Sequence, residues 1–483
     1  MNVYMLHAGQ PEAERLIDRL NVRSGRSLPA RLSGQETYYV IRWPDDRGRI
    51  AESGVQDAPM PPGTRMLQSA SAVRRALDKR LRQADWIRNG VNVFHSDSSL
   101  TPGIHRRLVV PVFQLEALGV YSIGGAAGPI GRMPFKTAHS TWTPVPSARS
   151  VAVRRAEREA IKAVYALGLD YGTVTIVSDR NGVPAVESLD PLPPKEDIFL
   201  ERFADAIRRF QEEHDKEKRR TDPVMLGMDP EFVLRRPGPD GKIVLASRFL
   251  ERRGAAGCDS VRIGDRLLYP LAELRPAPAA EPRELFRNLY AAMLLAADKI
   301  NDDSLEWLAG GMPAQGLALG GHIHVSGAWL HTDLLRVMDN YLALPLVLIE
   351  DATTKNRRPR YGALGDFRRQ FHGGFEYRTL PSWIVSPVLA MGVLALARIV
   401  CDHYRELGQR PLERSDMQEA YYKGNKEKIK PVVAELWNDV ERTEGYTRYS
   451  RYLNKLKRLL ERAEPWNEQL DMRISWKLPP YRD

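Results

Sequence analysis

Acidic, imidazole and guanidinium side chains recur at alternate positions in four short segments of the C-terminal half. In an extended strand, residues i and i+2 point to the same face, so each pair can present two reactive groups to one cavity. The pairs are Asp229 and Glu231 in GMDPEFVL, Glu273 and Arg275 in LAELRPAP, His322 and His324 in GGHIHVSG, and Glu376 and Arg378 in GFEYRTL. Any half-exposed strand shows such alternation, so the prediction of a site depends on the coincidence of all four pairs.

These side chains suit a hard divalent cation and an anionic substrate. Several carboxylates with an imidazole form the oxygen-rich site that Mg²⁺ or Mn²⁺ prefers, and they exclude the thiolate chemistry of structural zinc. Arginines crowd the segment RRPRYGALGDFRRQFHGGFEYR, residues 357–378. Guanidinium groups match phosphate and carboxylate oxygens, although a solvated basic loop has the same composition. Glycines next to the histidine pair and the last acidic pair would let the backbone approach a ligand closely.

The chain as a whole has the composition of a globular protein with more than one domain. Its 483 residues exceed what one hydrophobic core usually organises. The net charge of +10 is spread over both halves, which argues against a nucleic-acid-binding tail. Two cysteines, Cys258 and Cys401, are too few for a disulfide framework. The N-terminus lacks a signal-peptide pattern, and the longest apolar stretch, 384–397, is too short to cross a bilayer. These features predict a cytoplasmic protein with neither a nucleic-acid nor a membrane partner.

The order of predicted elements indicates an α+β protein in several segments. Residues 1–65 predict a small α/β lead-in, and 66–195 predict a second α/β segment. The strongly charged residues 196–222 predict a solvated helix or linker, where we place the domain boundary. Residues 223–410 combine strands and helices without the regular βαβ alternation of a doubly wound fold. Residues 411–483 predict a helical tail.

Residues 222–410 resemble the phage-type carboxylate-amine ligases, amidoligases with a glutamine-synthetase-like fold. The resemblance lies in the ordered set GMDPEF, GCDSVRIGDRLLYPLAELRPAP, GGHIHVS, RRPRYGALGDFR and GFEYRTLPSW. It implies an antiparallel sheet that holds ATP with Mg²⁺ or Mn²⁺ ions. In that fold a carboxylate is phosphorylated, and an amine attacks the acyl phosphate.

The resemblance also implies roles for individual residues. Asp229 and Glu231 match the opening acidic pair, where this chain has an aspartate in place of the first glutamate. The implied metal ligands are Asp229, Glu231, Asp259, Glu273, His322 and Glu376. His324, Arg275 and Arg358 are assigned to the nucleotide or substrate, and Arg368 and Arg378 to the transferred phosphoryl group. Asp366, in YGALGDFR, is the candidate base for the incoming amine, with a turn aspartate as the alternative.

The N-terminal half resembles a reduced ATP-grasp domain. The resemblance lies in LQSASAVRRALDKRLRQADWIRNGVNV, HRRLVVPVFQLEALGVYSI and AIKAVYALGLDYGTVTIVSDRNGVPAVESLDPLPP. Only about a dozen residues separate Val93 from His105, too few for the lid that covers the adenine. The acids of the closing strand are Glu187 and Asp190. We therefore expect this half to have a structural or substrate-positioning role.

Three functions remain open from the sequence. The first is an ATP-dependent ligase acting on small-molecule or peptide carboxylates and amines, in a possible homo-oligomer. The second is a guanidino-type phosphotransferase on the same fold, which would stop at a phosphorylated product. The third is a non-catalytic binding or structural protein that retains a degenerate site.

Overall fold

The structure is a computed structural model that describes residues 2–28, 38–49, 64–94, 106–124, 141–146, 150–179, 181–238 and 241–481. Its contacts divide the chain into two compact units, Met1–Arg219 and Arg220–Asp483. Both units combine helices with sheets, so the chain is a mixed α and β protein.

The first unit contains a parallel sheet and an antiparallel sheet. The strands of the parallel sheet, in the order β2-β1-β3-β4, are β1 (Asn2–His7), β2 (Arg23–Gly25), β3 (Tyr38–Trp43) and β4 (Thr64–Leu67). The antiparallel sheet has the order β10-β9-β5-β7-β8, with β6 paired to β5. Its strands are β5 (Arg106–Phe113), β6 (Glu116–Ala117), β7 (Tyr121–Gly124), β8 (Thr141–Pro144), β9 (Tyr171–Ser178) and β10 (Pro184–Asp190).

The helices of the first unit are α1 (Pro11–Leu20), α2 (Ala70–Leu77), α3 (Lys79–Arg88), α4 (Val151–Ala166) and α5 (Asp197–Lys218). Helices α2 and α3 follow one another directly, with a break at Asp78. Asp78 leaves the helical conformation, and its Oδ1 accepts hydrogen bonds from the N–H groups of Arg80 and Leu81 at 2.9 and 3.0 Å. An aspartate in this position caps the start of a new helix.

The second unit contains two antiparallel sheets. The first has the order β11-β17-β19-β18, and its strands are β11 (Met225–Met228), β17 (Ile323–Ser326), β18 (Phe367–Arg369) and β19 (Phe375–Tyr377). The second has the order β13-β12-β15-β14, with β16 paired to β12. Its strands are β12 (Glu231–Arg235), β13 (Ile243–Val244), β14 (Ala256–Ile263), β15 (Arg266–Leu274) and β16 (Glu306–Leu308).

The helices of the second unit are α6 (Pro282–Lys299), α7 (Thr332–Met338), α8 (Leu344–Leu346), α9 (Pro387–His403), α10 (Ser415–Lys423), α11 (Lys426–Arg442), α12 (Tyr446–Arg462) and α13 (Met472–Trp476). A π turn, Asp339–Ala343, joins α7 to α8 and interrupts the regular helical geometry. Pro345 follows this turn and has no N–H to continue the regular hydrogen-bond ladder, which accounts for the change. Short 3₁₀ turns occupy Ala246–Arg248, Thr354–Arg357 and Pro411–Glu413.

Helix α9 corresponds to the long apolar stretch of the sequence, and nearly all of it is buried. Ser386 caps it, with Oγ accepting a hydrogen bond from the N–H of Leu389 at 3.3 Å. The apolar stretch that is too short to cross a bilayer therefore forms a buried core helix. Among the described residues, we find no helix with the length and apolar character needed to span a membrane.

Candidate functional site

The chain crosses from one sheet of the second unit to the other at Asp229 and Pro230. Strand β11 ends at Met228 and pairs with β17, whereas β12 begins at Glu231 and pairs with β15. The acids Asp229 and Glu231 therefore flank the junction between the two sheets. A pair that alternates in sequence thus contributes to two different groups of side chains.

The first group surrounds Asp229. Strand β17 lies between β11 and β19, and its His324 is paired in register with both Gly227 and Glu376. His324 Nε2 lies 3.2 Å from Asp229 Oδ2. Asp229, His324 and Glu376 each offer a ligand atom, and these three atoms lie within 4.8 Å of one another. The arrangement is a candidate metal centre built from two strands and the end of a third.

His322 lies between the two acids of this group. Its Nδ1 is 3.0 Å from Asp229 Oδ1 and 3.2 Å from Glu376 Oε1. The sequence assigns His322 to the metal and His324 to the nucleotide or substrate. In the structure, His324 is the histidine that converges with Asp229 and Glu376. His322 contacts the carboxylates of both acids through Nδ1.

Burial and neighbouring charges shift the pKa values of the side chains in this group. Burial by itself would raise the pKa of Asp229, but the hydrogen bond with His322 and the close His324 imidazole lower it below its usual value. Burial alone would lower the pKa of His322, but the hydrogen bond with Asp229 and the nearby acids raise it. Burial raises the pKa of Glu376. The acids around His322 therefore favour the protonated form of its imidazole.

The second group surrounds Glu231, on the other sheet. Glu231 is paired in register with Glu273 across β12 and β15, and its Oε2 accepts a hydrogen bond from the N–H of Gly320 at 2.6 Å. Burial, followed by the charges of Asp229 and Asp259, raises the pKa of Glu231 to about 7 even though His322 and Gly320 oppose the shift. Asp259 on β14 therefore acts on this group through its charge. An accumulation of buried acids is what a divalent cation would relieve.

Arg275 forms an ion pair within this acidic group. Its Nη2 forms an ion pair with Glu273 Oε2, and the guanidinium lies against Gly257, where a side chain would collide with it. The sequence assigns Arg275 to the nucleotide or substrate. In the structure it neutralises a predicted metal ligand two residues away along the chain.

Two other predicted arginines surround Glu376. Arg368 is opposite Glu376 in register, with Nη1 3.4 Å from Oε2, and Arg378 Nη1 is 3.5 Å from Oε1. The Arg368 side chain is 59% exposed, so its guanidinium is accessible to an incoming anion. The backbone carbonyl of Asp366 accepts a hydrogen bond from the N–H of Arg378 at 2.9 Å, which places Asp366 beside this pair.

Arg358 is a predicted site residue that the structure does not bring to these groups. Its side chain is 2% exposed and pairs with Glu350 at 2.7 Å, and its guanidinium packs on the Tyr421 ring at 4.6 Å. The neighbouring Arg357 is buried and donates hydrogen bonds to the carbonyls of Thr379 and Leu380 at 2.8 and 2.9 Å. Buried guanidinium groups require such partners. Arg357 and Arg358 therefore stabilise the interior of the protein and are not available to a ligand.

Gln370 and Ser382 contact the two acidic groups but are not among the residues predicted from the sequence. Gln370 Nε2 donates a hydrogen bond to Glu376 Oε2 at 3.1 Å, and Ser382 Oγ donates one to the carbonyl of Glu231 at 2.5 Å. Gln370 follows Arg368 by two residues, so the alternation that selected the charged pairs could also have selected it. No comparable local pattern marks Ser382.

The glycines beside His322 allow other residues of the protein to pack closely against the backbone. A side chain at Gly320 would collide with the His322 ring, and one at Gly321 would collide with the carbonyl of Pro381 and come within 2.7 Å of Trp383. The sequence predicts glycines that let a ligand approach the backbone. The structure shows close packing of the chain against itself.

We expect Gly321→Ala to destabilise the protein by about 2 to 3 kcal/mol, because the new methyl group meets backbone that cannot rotate away. Denaturant titration and melting temperature would measure the loss. Gly408→Ala is the matched control, since a side chain at Gly408 meets nothing within 4 Å. Equal stability of the two variants would contradict this description of the segment.

In the first unit, Glu187 is already paired. Its two oxygens accept hydrogen bonds from Arg107 Nε and Nη2 at 2.7 and 2.6 Å, and Asp190 Oδ1 accepts one from the N–H of Leu192 at 3.0 Å. The span that the sequence predicts to be too short for a lid, between Val93 and His105, lies largely outside the described residues.

The second unit matches one protein family. A sequence model described as the phage phiEco32-like COOH.NH2 ligase-type 2 matches residues 226–478. Because the match covers more than half of the chain, the protein belongs to this family and is an amide-bond-forming ligase. The match continues through most of residues 411–483, which the sequence alone had set apart as a tail. None of the curated proteins matches the chain.

Several solved structures of ligases resemble parts of the chain. The ligase PafA, in complex with the prokaryotic ubiquitin-like protein Pup, is 13% identical, with 50% of this chain and 64% of that chain covered and a TM-score of 0.36. A bifunctional glutathione synthetase from Pasteurella multocida is 9% identical, with 57% and 53% covered and a TM-score of 0.34. The ATP-grasp ligase PsnB is 12% identical, with 43% and 99% covered and a TM-score of 0.29. At these low scores, the family assignment depends on the sequence match alone.

Proposed function

We propose that the second unit uses ATP and Mg²⁺ or Mn²⁺ to join a carboxylate to an amine through an acyl-phosphate intermediate. The observation that carries this proposal is the convergence of Asp229, His324 and Glu376, with ligand atoms within 4.8 Å of one another. Condensation of a free carboxylate with an amine needs activation, because hydroxide is a poor leaving group. Phosphorylation of the carboxylate supplies a better one.

The donor set fits a hard divalent cation. Asp229, His324 and Glu376 would hold one ion, and Glu231 and Asp259 offer further oxygens, whereas Glu273 would first have to exchange its ion pair with Arg275. When bound, such an ion neutralises nucleotide oxygens and favours in-line phosphoryl transfer. Burial is the main cause of the raised pKa values of Glu231 and Glu376, and a bound cation would favour the carboxylate form of both side chains.

The chain's own side chains would then orient and neutralise the reactants. Arg378 and Arg368, on either side of Glu376, are placed to bind phosphoryl oxygens with paired N–H donors. The glutamine-synthetase-like arrangement is part of the proposal, and it is supported by the antiparallel order β11-β17-β19-β18 carrying these residues. Asp366 is our candidate base for the incoming amine, and its backbone carbonyl accepts a hydrogen bond from the N–H of Arg378.

A nucleotide and product assay on the full chain tests this function. The protein would be incubated with Mg-ATP and pooled acids and amines, and mass spectrometry would search for condensation products with the loss of one water. A ligase yields ADP, free phosphate and an amide. ADP with a phosphorylated product and no free phosphate would indicate the phosphotransferase, and no nucleotide turnover would indicate a non-catalytic protein.

We propose a structural or substrate-positioning role for the first unit, and we expect the double variant Glu187→Gln and Asp190→Asn to retain ATP turnover within about twofold. The physical reason is that Arg107 already neutralises Glu187, so that this acid is not available to a metal ion. The measurement is steady-state ADP release by the full chain. A loss of tenfold or more would instead indicate a second catalytic centre in this unit.

A further inference from the structure

Glu468 is a buried carboxylate in the C-terminal segment that accepts an unusual number of hydrogen bonds. It is 1% exposed. Its donors among the described residues are uncharged: the N–H groups of Gly311 and Met312 at 2.5 and 2.8 Å, the hydroxyls of Thr354 and Thr353 at 2.6 and 3.1 Å, and Trp466 Nε1 at 3.1 Å. A buried carboxylate held in this way fixes the segments that supply its donors.

One of these segments is the glycine loop, residues 309–321, which connects β16 to β17. The carbonyl of Gly311 accepts a hydrogen bond from the N–H of Leu319 at 2.9 Å, which ties the two ends of the loop together. The next residue, Gly320, donates its N–H to Glu231 Oε2 at 2.6 Å and accepts from the N–H of Glu231 at 2.9 Å. The Glu468 carboxylate is thus linked to the Glu231 carboxylate through the backbone of one loop.

A second series of contacts connects Glu468 to the end of the glycine loop. Thr354 begins the 3₁₀ turn that contains Arg357, and Arg357 Nη2 donates to the carbonyl of Leu380. That carbonyl also accepts the N–H of Gly321 at 3.1 Å. Glu468 therefore holds both the start of the glycine loop and the turn that supports its end.

We propose that Glu468 is a positioning residue of the candidate metal site. It fixes the glycine loop so that the Gly320 N–H holds the Glu231 carboxylate in place for a divalent cation. This inference rests on the proposed function, because it assumes that Glu231 contributes to cation binding. Residues that orient ligands from behind typically change metal affinity by about 10- to 100-fold when they are replaced.

Titration of the full chain with Mn²⁺, followed by electron paramagnetic resonance, tests the proposal. We expect Glu468→Ala to weaken Mn²⁺ binding at least about tenfold. Glu468→Gln retains one carbonyl acceptor and is expected to recover part of the affinity. Thr354→Val removes one of the donors to Glu468 with little change in shape, and we expect a loss of about two- to fivefold. This milder variant keeps the test informative if Glu468→Ala does not fold.

Tyr341→Phe is the matched control for stability. Its buried hydroxyl donates to Asp439 at 2.6 Å and accepts from the N–H of Gln409 at 3.0 Å, and neither partner belongs to the glycine loop or to the candidate metal site. We expect a lower melting temperature and an unchanged Mn²⁺ affinity.

Two results would overturn the inference in distinguishable ways. Wild-type Mn²⁺ affinity in folded Glu468→Ala, or in Thr354→Val if the first variant does not fold, would leave the metal site intact and refute the positioning role alone. Absence of Mn²⁺ binding by the wild-type chain would refute the proposed site and, with it, this role.

Discussion

Glu376→Gln is expected to reduce ATP turnover and ligation by at least about 10³-fold while the protein remains folded. Glu376 is 1% exposed and contributes one of the three converging ligand atoms of the candidate metal centre. The amide keeps the shape of the side chain but loses the charge that attracts the cation, and a bound ion contributes several kcal/mol to phosphoryl transfer. ADP release, amide formation and melting temperature would be measured on the same preparation.

Glu306→Gln is the matched control for this variant. Glu306 is also a strand acid in the second unit, but its ion-pair partner is Arg235, at 2.7 Å, rather than a member of the candidate metal centre. We expect its activity to remain near that of the wild type. Full activity in folded Glu376→Gln would refute the assignment of Glu376 to the metal.

Arg378→Met is the second variant with a large expected effect, and its effect should fall on chemistry. Arg378 lies 3.5 Å from Glu376 and is 25% exposed, so its guanidinium can contact a substrate oxygen. An arginine that stabilises a phosphoryl transition state contributes about 10³- to 10⁵-fold to turnover. We therefore expect kcat to fall by about 10³-fold, with Mn²⁺ affinity unchanged or slightly higher because a nearby positive charge is removed.

Two further substitutions distinguish a role of Arg378 in the reaction from a role in stability. Arg378→Lys keeps the charge without the planar pair of donors, and we expect it to recover only part of kcat. Arg358→Met removes an arginine from the same segment of the sequence, but its expected effect is a lower melting temperature, because Glu350 would be left buried without its partner. If Arg378→Met instead weakened Mn²⁺ binding and left kcat intact, Arg378 would have to be reassigned as a support for the metal site.

The parts of the site that follow from local geometry were predictable from the sequence. The spacing of side-chain types depends only on neighbouring residues, which is why Asp229, Glu231 and Glu376 could be selected, although Asp229 and Glu231 flank a break between two sheets and do not share one strand. Helices were predictable for a similar reason, as the buried α9 shows. Each of these patterns is contained within a few consecutive residues.

The partners of these residues could not be predicted, because they are set by long-range packing. Arg358 resembles its neighbours in the sequence, yet it is buried with Glu350 and Tyr421. The choice between His322 and His324 depends on how β17 pairs with β11 and β19. Glu468 lies 157 residues from Gly311, the residue of the glycine loop that donates to it. No periodicity within a short window contains this information.

The crossing of the chain at Asp229 and Pro230 also bears on how the protein folds. Asp229 and Glu231 are two residues apart, but their strands pair within different sheets. Both sheets must therefore have formed before the full set of acids can meet. Occupation of both acidic groups by divalent cations during refolding would then be a late event and would report completion of the native topology, whereas helix formation, which depends on local contacts, would precede it.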